Sequence, residues 1–75
     1  MGKYPIYSAK SLTKLLQLNG CNIVRQKGSH IVMQRVQDQK TYTIVIPDHK
    51  EIKIGTLTSI IRQSGLDKTL FEFKD

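Results

Sequence analysis

A run rich in Val, Ile, Thr and Tyr, from Cys21 to Ile46, lies between two short segments that both repeat apolar residues at helical spacing. That pattern restricts the chain to a small sheet packed against helices. In Ser11–Gly20, Leu12, Leu15 and Leu16 form one stripe while Lys10, Lys14 and Gln17 fall on another face. Ser8 is placed to cap the start of this helix, and Gly20 can adopt the left-handed conformation that ends it. In Thr56–Gly65, Leu57, Ile60 and Ile61 form the stripe, Arg62 points elsewhere and Gly65 stops the helix. The likeness of the two segments is shared helix grammar and not an internal repeat. Two such stripes need a common surface to pack on.

The middle of the chain supplies that surface. Cys21 to Lys27 reads as one strand, Gly28-Ser29 as a two-residue hairpin loop of the Gly-first kind, and Ile31 to Val36 as the returning strand. Gln37-Asp38-Gln39-Lys40 is a polar turn, Thr41 to Ile46 a third strand, and Pro47 ends it because it cannot donate to the ladder. The expected fold is α+β: helix, three antiparallel strands, helix, with both helices on one face of the sheet. The other face, or an edge, is then available for a ligand. Tyr42 alternates with Ile44 and Ile46, which points it to the core, and the tail Leu70–Lys74 folds back as packing or meets a partner.

With 75 residues the chain reads as one domain, 1–75, and buries only about 60% of the surface its unfolded form exposes. Its core must be thin. Cys21 is the only cysteine, so no internal disulfide can form, and a four-ligand zinc site would need more than Cys21, His30 and His49. The expectation is a domain without metal or cofactor, suited to a reducing cytosol. No apolar run approaches the roughly 20 residues that span a bilayer, the start lacks the apolar segment of a signal peptide, and Ile6 stands where a myristoylation signal prefers Ser or Thr. A cytoplasmic protein with no membrane partner is expected.

The net charge of +6 is unevenly placed. Residues 1–37 hold Lys3, Lys10, Lys14, Arg25, Lys27 and Arg35 and no acid, whereas in residues 38–75 six bases cancel six acids. A one-sided positive field favours a polyanion, of which nucleic acid is the commonest.

Gly28-Ser29-His30 puts an imidazole at the mouth of a hairpin, between Arg25 and Lys27 on one strand and Arg35 on the other. A histidine titrates near pH 6.5 and can accept and return a proton at cellular pH. RNA carries its own nucleophile, the 2′-hydroxyl, so a base that removes its proton promotes attack on the adjacent phosphorus, while cations neutralise the charge gathering on the phosphoryl oxygens. No metal is required. The plainer alternative is a surface histidine in a turn. Ser29 and His30 do not form a nucleophile–base pair, because neighbours on an extended chain point to opposite sides. Neither a phosphate-binding Gly-rich loop nor a nucleophile elbow is present.

A second histidine lies in Pro47-Asp48-His49-Lys50, a loop that leads through Lys53, Gly55 and Thr56 into a helix N-terminus. Such an end favours anions, so His49 and Lys50 join Arg25, Lys27, Ser29 and Arg35 as candidate substrate-binding residues. The alternative here is an ordinary capped loop. Tyr4, Tyr7, Tyr42, Phe71 and Phe73 form no cluster suited to stacking on bases.

Asn19-Gly20, Arg25-Gln26-Lys27-Gly28-Ser29-His30, Pro47-Asp48-His49 and Gly55-Thr56-Leu57 through Gly65-Leu66 follow one another as in HicA toxins, which the chain resembles from about residue 8 to 66. The resemblance implies a fold like the double-stranded-RNA-binding domain and a ribosome-independent mRNA interferase of a type II toxin–antitoxin system. It implies that His30 is catalytic, that mRNA is the substrate, and that a HicB-like antitoxin covers His30 and the cations beside it. Two positions depart from the family's pattern: Cys21 replaces an aromatic residue, which alters packing, and Ile31 replaces a second histidine.

Two other classes fit the residues as well. A non-catalytic module could read duplex RNA by shape, although Lys50, Lys53 and Arg62 are sparse for such a clamp. An adaptor could act only by binding a protein partner.

Overall fold

The computed structural model describes residues 3–73. Its elements are α1 (Ala9–Leu18), β1 (Asn22–Lys27), β2 (His30–Gln37), β3 (Lys40–Pro47), α2 (Ile54–Ser64) and a 3-10 turn at Lys68–Phe71. The strands form one antiparallel sheet in the order β1-β2-β3. This is the α+β order expected of a fold like the double-stranded-RNA-binding domain.

Local chemistry explains where most elements begin and end. Ser8 Oγ accepts from the Ser11 amide at 3.0 Å and Ser11 Oγ accepts from the Ser8 amide at 3.0 Å, a reciprocal cap at the start of α1. Gly20, at φ +89°, closes that helix. Cys21 drops straight into the core, so β1 starts one residue later than expected. Burial pushes the Cys21 thiol up, with the charge of Arg35 pulling it part of the way back.

Gly28, at φ +58°, makes the first hairpin turn as expected. The second is tighter than the four polar residues suggested. Asp38 and Gln39 both have positive φ, 53° and 66°, the pairing found in a type I′ loop, and β2 and β3 therefore run on to Gln37 and Lys40. Helix α2 starts at Ile54, two residues before the expected Thr56, with no side-chain cap from Lys53. Gly55 thus lies in the first turn of the helix and not in the loop before it.

Cross-strand pairs Ile31–Ile46, Met33–Ile44 and Arg35–Tyr42 make up the row that faces the helices. Leu12 and Leu16 of α1, and Leu57 and Ile60 of α2, cover it and are almost fully buried. Each such side chain contributes about 1.5–3 kcal/mol by leaving water. Leu15, expected in the stripe, is only half-buried, and Ala9 and Thr13 are buried instead. The tail does fold back: Phe71 is buried, its carbonyl accepts from the Tyr7 hydroxyl at 2.6 Å, and the Phe73 amide donates to Lys3 O at 2.8 Å. Lys74, also expected in that packing, lies outside the described residues.

Tyr42 is half-buried, not fully in the core, and Arg35 lies over its ring at 4.4 Å to the centroid. Its other constraint is Gly65, the left-handed end of α2 at φ +68°, where an added Cβ would stand 2.8 Å from Tyr42 Cδ2. Gly65→Ala combines a left-handed penalty of about 1–2 kcal/mol with a displaced ring. We expect a loss of about 2 kcal/mol or more in urea unfolding, and a loss under 0.5 kcal/mol would show that the ring moves freely.

Candidate active site

Alternation along the strands sorts the candidate residues onto two faces. Inward go Ile31, Met33 and Arg35; outward go His30, Val32 and Gln34. Lys27 pairs with His30 and Arg25 with Val32, so both cations share the outer face with the imidazole. Directly opposed residues hold their Cβ atoms about 4.5–5.5 Å apart, which sets Lys27 beside His30. All three side chains are exposed. Between Ile23 and Arg25 the register slips by one residue, a bulge at Val24 without which the cations would turn inward.

Arg35 does not join them. Although the sequence places it on the strand that begins at His30, its odd spacing from that residue sends it to the helix side, where it is 7% exposed. Its Nε and Nη2 donate to the Ser64 carbonyl at 3.0 and 2.8 Å, and Nη1 donates to Gln37 Oε1. The expectation that Arg35 contacts substrate is therefore corrected: it is a structural cation that closes the end of α2.

On the other side of His30, β3 contributes Pro47 as its cross-strand neighbour. The loop that follows is tied down by backbone hydrogen bonds. Asp48 N donates to Ser29 O at 2.7 Å, Ala9 N donates to His49 O at 2.9 Å, and Ile52 N donates to Tyr7 O at 2.7 Å. These bonds fasten His49 and Lys50 to the hairpin at one end and to the start of α1 at the other. Ser29 takes part through its carbonyl, which anchors the loop.

Ser8, Lys10, Asp48, His49 and Lys50 line a shallow depression of about 410 Å³ at this end of the molecule. The structure thus brings Lys10, His49 and Lys50 together beside Asp48, while His30 and Lys27 sit on the outer face of the hairpin to which the Asp48 amide is bonded. Sequence reasoning missed Lys10, since nothing near it in the chain reveals the Ala9–His49 hydrogen bond that brings α1 here. Among the described residues no three His, Cys, Asp or Glu side chains gather to hold a metal ion. Apart from His30, the outer face of β2 and β3 carries Val, Gln, Thr and Pro47 and no Phe, Tyr or Trp, so it offers no stacking platform of several rings.

The exposed lysines here suit phosphate groups. No helix of the described residues is long and apolar enough to cross a membrane.

No curated protein and no solved structure matches the chain. A family described as the HicA toxin of bacterial toxin–antitoxin systems matches residues 9–66. That match takes in α1, the whole sheet, the histidine loop and α2, well over half of the sequence, and the chain therefore belongs to the HicA toxin family.

Proposed function

We propose that this toxin is a metal-independent, ribosome-independent endoribonuclease that cuts mRNA, with His30 as the base that activates a 2′-hydroxyl. The observation that carries the reading is the exposed His30 paired across the hairpin with Lys27 on the outer face. In the reaction the 2′-oxygen gives its proton to His30 and bonds to the adjacent phosphorus. The bond from phosphorus to the 5′-oxygen of the next nucleotide breaks, and that oxygen takes a proton from water or a neighbouring acid. The products are a 2′,3′-cyclic phosphate and a 5′-hydroxyl. Lys27 and Arg25 face the developing charge, and His49 and Lys50, held by the tied loop, grip a neighbouring phosphate.

A HicB-like antitoxin would silence the toxin by covering the outer end of the hairpin, with acidic groups meeting Arg25 and Lys27. Arg35 is too buried to take part.

Metal-free protein is to be incubated with a single-stranded RNA and with the same strand carrying 2′-deoxy sugars. Cutting of the ribose strand alone, leaving 2′,3′-cyclic phosphate ends, is the expected result. Equal cutting of both strands rules out the 2′-hydroxyl route. Binding without cutting would favour a module that holds duplex RNA by shape.

A further inference from the structure

Helix α1 has a second stripe beside the leucines that pack in the core. Lys10, Thr13, Lys14 and Gln17 follow the i, i+3, i+4, i+7 spacing of one helix face, and they line a groove of about 380 Å³. Gln26 of β1 stands on the far side, Ile31 supplies an apolar surface, and Asp48 closes one end. The volume falls in the range of roughly 300–1,000 Å³ that suits small organic ligands.

Thr13 marks the groove as more than a surface crease. It is 9% exposed, and its Oγ1 is the one buried side-chain polar atom without a hydrogen-bond partner among the described residues. A helical threonine commonly returns its hydroxyl to the carbonyl one turn back, and an unpaired buried hydroxyl is costly. Its donor and acceptor are instead left for something in the groove.

We propose that this groove holds one unpaired nucleobase of the RNA beside the cleavage site, and that it disfavours uracil. The ligand class rests on the ribonuclease reading. Ile31 meets the flat face of the base, while Thr13, Gln17 and Gln26 offer donors and acceptors to its edge. Lys10 and Lys14 reach the flanking phosphate. Asp48 supplies only acceptors, which suits the exocyclic amino groups of adenine, cytosine and guanine. Uracil presents a single N–H between two carbonyl oxygens, and a carboxylate repels those. Asp48 lines both this groove and the depression near His49, and its amide is bonded to Ser29. The groove is thus joined through Asp48 to Ser29, the residue before His30.

The test is titration of 15N-labelled toxin with AMP, CMP, GMP and UMP, each as the 5′-monophosphate, followed by amide chemical shifts. Signals of Thr13, Gln17, Gln26 and Ile31 are expected to move, with UMP binding about fivefold or more weaker than the others. Asp48→Asn should bring UMP level with the rest. Thr13→Val should weaken all four nucleotides without lowering the melting temperature. Equal binding of all four, shifts confined to the outer hairpin, or shifts in the groove caused by a hexaglutamate peptide and by no nucleotide would each overturn the proposal. None of these readouts depends on cleavage. A toxin that binds nucleotides in this pattern yet cuts no RNA would keep the groove and lose the ribonuclease; one that cuts RNA with no response in the groove would do the reverse.

Discussion

Substituting alanine for His30 is expected to leave a folded toxin whose RNA cutting falls by about 10²–10⁴-fold, the usual worth of one acid–base group. The fold should barely register the change. His30 is exposed, and its backbone rather than its ring pairs it with Lys27 and Pro47, so urea unfolding should shift by no more than about 0.5 kcal/mol. Added imidazole should restore part of the lost rate, because the space left by the side chain opens to solvent. Cleavage at the wild-type rate by a clean His30→Ala preparation would remove the general base from the mechanism. Growth inhibition should disappear together with cleavage in the same variant.

Arg35→Ala is expected to do the opposite, costing about 2–4 kcal/mol of stability while sparing the cutting of whatever fraction stays folded. The guanidinium gives two hydrogen bonds to the Ser64 carbonyl and lies over the Tyr42 ring. Removing it strips the end of α2 of its donor and leaves a gap above the tyrosine. A cation at a helix C-terminus also meets the negative end of the helix dipole. Arg35→Lys keeps the charge but not the forked geometry, and should fall between wild type and alanine. The measurement is urea unfolding beside specific activity at low temperature. A stable Arg35→Ala protein with weakened RNA binding would return this residue to the substrate surface.

Arg35 also shows what could and could not be read along the chain. Its alternation with Ile31 and Met33 already assigned it to the core side, and its nearness in sequence to His30 pointed the wrong way. Features with local causes were legible: the Ser8 cap, the glycine turns at Gly20, Gly28 and Gly65, and the imidazole at the hairpin mouth. The start of α2 was not, because Lys53 contributes no capping side chain to mark it. The tight turn at Asp38-Gln39 was hidden for a related reason, since no glycine announces its two positive φ angles. Lys10, the groove along α1 and the anchoring of His49 depend on contacts between residues some forty positions apart, which no local pattern encodes. Of the six cations in the first 37 residues, the fold turns Arg35 inside.

The closure of the tail has a consequence for when the toxin can become harmful. Phe71 fills the core, and Tyr7 and Lys3 hold the last described turn against the first residues of the chain. A ribosome making this protein would release most of the hairpin long before that plug arrives. Until it does, the core lacks its largest buried side chain and the Tyr7 hydroxyl lacks the carbonyl it donates to. Under the proposed reading, cutting would begin only once that plug is in place, and a partner antitoxin would have the interval before it in which to bind.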